Sequence, residues 1–197
     1  VRYTFDNAKP CRSSTSARDY CSPLVYKPDV DTLYRNDGDG RFSDVSDAAG
    51  IRKQFGGALG VVVGDFDSDG WPDIFSLDML PEDLLTYKTS GLEYAYPIYR
   101  QYLRNGFAPQ YMQNTLQLNL GTATFSEIAY LSGIAATEWS WGALLADFDN
   151  DGDLDLYICN TSGGGNKLLE NNAGVFTDVT SGPLGDTGNS EGAVWGD

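Results

Sequence analysis

The 197-residue chain carries 28 acidic against 13 basic side chains, a formal net charge of -15, with 41% hydrophobic residues and no histidine. Its 4 Trp, 12 Tyr and 9 Phe are too many for a solvated acidic tail, so a folded core is expected. The charge disfavours a nucleic-acid partner, no run reaches the ~20 apolar residues of a membrane-spanning helix, and the missing histidine removes a Ser-His-Asp triad, a His-liganded zinc and an imidazole base.

Residues 1–29 form a polar N-terminal segment. Cys11 and Cys21 lie ten apart in it and could close a small loop as a disulfide, which would suit an oxidising, extracytoplasmic setting; two free thiols are the alternative. The chain opens at Val1 with neither an initiator Met nor a signal-peptide pattern, and so reads as a processed or partial product.

From residue 30 to 197 two elements recur in alternation. The first is an apolar strand, an Asn/Gly turn and a strand in which Phe and Val or Ile alternate with polar residues. Its copies are Leu33-Tyr34-Arg35-Asn36 through Val45, Leu116-Gln117-Leu118-Asn119 through Ile128, and Leu168-Leu169-Glu170-Asn171 through Val179. This predicts three β-hairpins. Asp37-Gly38-Asp39-Gly40 is read as the first hairpin's turn, because no later carboxylate stands at metal-ligand spacing.

The second element reads D-x-D-x-D-G-x-x-D and runs into an apolar strand. It spans Asp65 to Asp73 and again Asp147 to Asp155, and a third copy starts at Gly192-Ala193-Val194-Trp195-Gly196-Asp197. From each hairpin's Phe (42, 125, 176) to the first loop aspartate (65, 147, 197) the gap is 23, 22 and 21 residues. The loops lie 82 and 50 residues apart, and a unit of about 50 residues with several short strands has the size of a propeller blade. The chain is therefore expected to be all-β, with three to four blades of four-stranded antiparallel sheet forming a partial β-propeller.

The longer interval carries an insertion at about residues 78–113. It holds Tyr87, Tyr94, Tyr96, Tyr99, Tyr102 and Tyr111, and Pro97 could open a short helix reaching Arg104. Such a segment is either an aromatic surface for a sugar or partner, or an excursion packed on its own blade. Cys159 lies in an apolar run and reads as an inert strand residue, while Asn160-Thr161-Ser162 is an N-glycosylation sequon.

Carboxylates at positions 1, 3, 5 and 9 repel one another unless a cation sits among them, and calcium accepts six to eight hard oxygen ligands. The candidate ligands are the side chains of Asp65, Asp67, Asp69 and Asp73 with the Trp71 carbonyl. In the second loop they are Asp147, Asp149, Asp151 and Asp155 with the Asp153 carbonyl. Gly70 and Gly152 occupy position 6, where the loop must turn sharply. An EF-hand is rejected, since position 12 is Ser76 or Ile158 rather than an acid and a strand pattern follows each loop. Two Ca²⁺ sites are thus expected, without a separate acid/base pair for catalysis.

These segments resemble the FG-GAP/VCBS repeat family, the calcium-loop β-propellers of integrin-α type. Asp78-Met79-Leu80-Pro81-Glu82-Asp83 and Trp139-Ser140-Trp141-Gly142 are further similar to bacterial secreted proteins that carry an ASPIC/UnbV domain, relatives of cartilage acidic protein. The resemblance implies that the eight loop aspartates bind calcium between blade strands. It also implies a non-catalytic extracellular module for adhesion, recognition of a glycan or protein, or assembly; separately, a partial propeller leaves open sheet edges that invite self-association. A building block completed by neighbouring copies in an oligomer or filament, and a carbohydrate-active enzyme, are the alternatives.

Overall fold

The computed structural model describes residues 6, 10–12, 15–19, 29–53, 57–90, 96–104, 106, 111–161 and 164–196. In chain order the strands are β1 (Tyr34–Gly38), β2 (Arg41–Asp44), β3 (Gly60–Gly64), β4 (Asp73–Leu77), β5 (Met79–Leu80) and β6 (Thr115–Asn119). They continue with β7 (Phe125–Glu127), β8 (Glu138–Ala146), β9 (Asp155–Thr161), β10 (Lys167–Asn172) and β11 (Val175–Asp178). Among the described residues three short α-helices join them: α1 (Ser46–Ala49), α2 (Leu84–Thr89) and α3 (Tyr96–Arg104).

The three predicted hairpins are β1–β2, β6–β7 and β10–β11, each antiparallel. One hydrogen bond repeats at all three bases. The amide after the second strand donates to the leucine carbonyl at the start of the first: Val45 to Leu33 (2.9 Å), Ile128 to Leu116 (2.8 Å) and Val179 to Leu168 (3.0 Å). The Asp37–Gly40 turn belongs to the first hairpin, with Asp37 accepting from Arg35 and Ser43.

Each aspartate loop joins an inner strand pair, β3–β4 or β8–β9, and the adjoining hairpin extends the sheet outward. The results are a four-stranded sheet ordered β3-β4-β6-β7 and a sheet ordered β11-β10-β9-β8-β5. The fold is all-β, a partial β-propeller with two complete four-stranded blades and the β1–β2 hairpin preceding them. The second blade has an unforeseen fifth strand. Met79 and Leu80, just past the first inner pair, add to its inner edge opposite Trp139 and Glu138.

Burial in β4 alternates, placing Asp73, Phe75 and Leu77 inward. With Leu116, Ile134, Leu156, Ile158, Leu169 and Phe176 these apolar side chains make the core between the blades. Phe66, from inside the first aspartate loop, is fully buried there and meets Phe75 and Phe176 edge-on, at 6.4 and 5.8 Å between ring centroids. Inner strands stack closely. A Cβ on Gly60 would sit 2.7 Å from the Trp141 carbonyl oxygen, and one on Gly142 would sit 2.6 Å from that of Glu191. Glu191 and Gly192 therefore pass close to β8 at Gly142, as β8 passes β3 at Gly60, although residues 192–196 pair with no strand among the described residues.

Between β4 and β6 the chain makes β5, α2 and α3. Asp83 caps α2 by accepting from the Thr86 amide (2.6 Å), and α3 covers the span that Pro97 suggested. Burial, then the hydrogen-bonded Tyr99 and the nearby Tyr87, push the Tyr111 hydroxyl's pKa up. Lys167, nearly buried at the start of β10, pairs with Glu82 and lies 3.4 Å from Asp178, fastening the insertion to the second blade.

Cys159 is free and buried in β9, and burial pushes its thiol up. Asn160 of the sequon is fully buried: its Nδ2 donates to the Gly165 carbonyl (2.7 Å) and its Oδ1 accepts from Ser140 (2.9 Å). It is no glycan acceptor in the folded chain. Cys11 is disulfide-bonded, while Cys21, the partner expected from spacing, lies outside the described residues.

Candidate metal centre

Both aspartate loops turn back tightly between antiparallel strands. In each, position 4 and position 6 have positive φ: Ser68 (58°) and Gly70 (92°), then Asn150 (63°) and Gly152 (103°). Glycine takes such a conformation without steric cost and asparagine tolerates it, whereas serine bears some strain. The reversal lets the first aspartate accept from the amides of the turn. Asp65 Oδ1 and Oδ2 take Asp69 N–H (3.1 Å) and Gly70 N–H (2.8 Å). Asp147 does the same with Asp151 N–H (3.1 Å) and Gly152 N–H (3.2 Å).

Position 9 closes the loop. Asp73 accepts from Phe66 N–H (2.9 Å) and Asn119 N–H (2.7 Å), and Asp155 accepts from Phe148 N–H (2.9 Å) and Asn171 N–H (2.8 Å). Both carboxylates are buried, and desolvation pushes both pKa values up despite those amides.

The loops converge carboxylates, but not the same ones. Ligand-capable oxygens of Asp65, Asp67 and Asp73 lie within 4.8 Å of one another, as do those of Asp147, Asp149 and Asp151. Asp69 and Asp155 fall outside these groups; Asp69 Oδ1 instead accepts from Trp71 N–H (2.8 Å). The position 7 side chains point away from the loop centres. The Trp71 indole lies against Gly121 in the β6–β7 turn, while Asp153 accepts from Ser68 Oγ (3.1 Å) and Ala173 N–H (3.0 Å).

Asp67 decides whether a cation fits. Its Oδ1 is buried and has no hydrogen-bond partner, and desolvation, with Asp69 and Asp65 adding repulsion, pushes its carboxyl up. A buried oxygen without a donor is costly in a folded protein. A hard cation among Asp65, Asp67 and Asp73 would satisfy it, and an all-oxygen donor set suits calcium or magnesium rather than a soft metal. Both loops could hold a metal ion.

Sequence reasoning missed Asn119 and Asn171. Each stands within the last two residues of its hairpin's first strand, donates its backbone N–H to the position 9 aspartate, and donates Nδ2 to the carbonyl before that aspartate: Pro72 (3.0 Å) or Leu154 (2.9 Å). Its Oδ1 accepts from the turn glycine, Gly121 (3.1 Å) or Gly174 (2.9 Å). The signal was present as Leu-x-x-Asn in all three hairpins. Asn36 holds its turn likewise, accepting from Gly38 N–H (2.9 Å).

A family model for the FG-GAP-like repeat matches residues 23–76, 107–158 and 147–197, well over half the chain. The chain belongs to the FG-GAP-like repeat family. No curated protein matches it. The first two matches each contain a hairpin and the inner strand pair that follows, so a sequence repeat straddles two blades. Each of these repeats thus contributes its hairpin to one blade and its aspartate loop to the next, which ties neighbouring blades covalently. Among the described residues no helix is long and apolar enough to cross a membrane.

Proposed function

We propose that this chain is a non-catalytic, calcium-stabilised repeat module of an extracellular protein, serving adhesion, recognition of a glycan or protein ligand, or assembly. The observation that carries the reading is the buried, unpartnered Asp67 Oδ1 amid converging carboxylates. In site one the ligands are Asp65, Asp67, Asp69 and Asp73 with the Trp71 carbonyl. In site two they are Asp147, Asp149, Asp151 and Asp155 with the Asp153 carbonyl. Calcium supplies the positive charge and the six to eight oxygen contacts that close each loop. Asp73 and Asp155, fixed by two amides each, hold the loop ends together, and Gly70 and Gly152 permit the reversal. The predicted Cys11–Cys21 bridge and the family's usual setting support secretion, and the phrases around Asp78 and Trp139 support a relation to ASPIC/UnbV-associated proteins.

Isothermal titration calorimetry of the chelator-treated chain with calcium chloride tests the reading. Two ions per chain are expected, and no heat of binding would overturn it. A glycan array then distinguishes lectin-like recognition from assembly, and product analysis on polysaccharides tests the enzyme alternative.

A specific observation favours completion of the propeller by a further blade. Val61 and Val63 on β3 are 62% and 59% exposed, whereas their repeat equivalents Ala143 and Leu145 pack against the core. A further blade, from this polypeptide or a neighbouring copy, would cover that face. Light scattering and electron microscopy of the native material read the outcome directly, and a stable monomer would count against completion by neighbouring copies.

A further inference from the structure

The two aspartate loops share one buried side chain. Asn171 is fully buried, and its Nδ2 donates both to the Phe66 carbonyl (2.8 Å) and to the Leu154 carbonyl (2.9 Å). Phe66 stands between Asp65 and Asp67 of loop one; Leu154 stands between Asp153 and Asp155 of loop two. Asn119, at the equivalent place in the first blade, is half-buried and bonds one loop carbonyl, that of Pro72. A second tie runs across the surface. Asp153 of loop two accepts from Ser68 Oγ of loop one and from Ala173 N–H of the β10–β11 turn. That turn in turn approaches loop one, where a Cβ on Gly174 would lie 3.8 Å from Asp67 Cβ.

The geometry points to Asn171 and the Ser68–Asp153 pair as positioning residues that couple the two cation loops, so that filling either one tightens binding at the other. This rests on the calcium reading above. A cation draws the carboxylates of its loop together and fixes the loop backbone. Through Asn171 that also fixes a carbonyl in the other loop, so the second cation meets a backbone already ordered. Typical couplings of this kind change affinity by 5–150-fold, and two hydrogen-bonded links place this one near the lower end, about 5- to 10-fold. Repulsion between two cations opposes the coupling. It is screened over about 8 Å at physiological salt, so the titrations belong at that ionic strength or above.

Terbium(III) luminescence excited through tryptophan in the full chain reads loop one as the part of the signal lost in Trp71→Phe. Asp149→Ala, which disables loop two, is expected to weaken loop one about 5- to 10-fold. Asp67→Ala should weaken terbium binding at loop two, read by calorimetry, by the same factor, because coupling between the two sites is reciprocal for one ion. Ser68→Ala, at an exposed position that should not compromise folding, is expected to shrink the dependence while both loops still bind. The coupling is overturned if loop one in Asp149→Ala stays within twofold of the wild type, or if the two factors differ. In those cases two ions still bind and the calcium reading stands. A wild-type chain that binds no calcium overturns both.

Discussion

Loop one and loop two follow one pattern, yet they sit in different surroundings. Loop one lies beneath the second blade: its Phe66 is fully buried, its Asp67 has an unpartnered buried oxygen, and Asp153 and Gly174 of the next blade lean on it. Loop two is more open. Phe148, the counterpart of Phe66, is only half-buried, Asp149 and Asp151 are exposed, and Asp149 Oδ1 accepts from Asp151 N–H (3.1 Å). The same set of carboxylates can therefore be costly to crowd together in one place and tolerable in another. What differs is how much water can reach the carboxylates, and the neighbouring blade sets that.

The largest effect should come from removing calcium altogether. With calcium about 100-fold above its dissociation constant, linkage gives about 3 kcal/mol per site. Chelation should then lower the melting temperature by roughly 6–12 °C per site in a domain of this size. Scanning calorimetry with and without EDTA checks this; superimposable curves would remove the basis for comparing the loops as metal sites.

The two asparagines should then separate. Asn171→Ala leaves the Phe66 and Leu154 carbonyls and the Gly174 amide without their partner in a buried setting, and should cost about 2–4 kcal/mol. Asn119→Ala loses one loop carbonyl contact at a half-buried position and should cost about 1 kcal/mol. Urea denaturation of both variants gives the difference, and equal losses would show that the blade cover is energetically irrelevant.

Asp67→Asn sharpens the contrast through its sign. In EDTA it should stabilise the chain, since it relieves a carboxylate with a buried, unpartnered oxygen crowded by Asp65 and Asp69, while in calcium it should destabilise. Asp149→Asn should lower stability only when calcium is present. Melting curves of the two variants in both buffers test the pair; a Asp67→Asn chain less stable than wild type in EDTA is the outcome that breaks the argument.

The smallest effect lies outside the loops and serves as their control. The Asp44 carboxylate accepts from the Ser46 hydroxyl (2.6 Å), the Ser46 amide (3.0 Å) and Arg52, which together hold its pKa at about 2. A carboxyl lowered in the folded state adds stability above its unfolded value of about 4, and that stability fades as pH falls through 2. The Ser46 amide resonance in a chelated sample should therefore titrate near pH 2, not near 4. A midpoint near 4 would mean that these bonds do not persist in solution.

Much of this molecule was legible before any coordinates. The Leu-x-x-Asn hairpins, the loop reversals at Gly70 and Gly152, and the helix over Tyr96–Arg104 all follow from spacing, because each depends on hydrogen bonds or steric limits among residues close in sequence. Other features were not. Asn119 and Asn171 read as turn residues, whereas their main work is to clamp the position 9 aspartates. The Asn160 sequon read as a surface feature, whereas β9 buries it. Met79 and Leu80 had no visible partner, because their pairing with β8 spans the whole insertion.

The pattern of charges and glycines was enough to show two repeated loops that gather carboxylates, since the four aspartates of each loop lie within nine consecutive residues. Which oxygens lose water, and which loop leans on the other, was decided by stacking one blade on the next. Asn171 reaches a carbonyl 105 residues away. No local rule encodes such a contact, because it exists only once two twisted sheets have packed face to face.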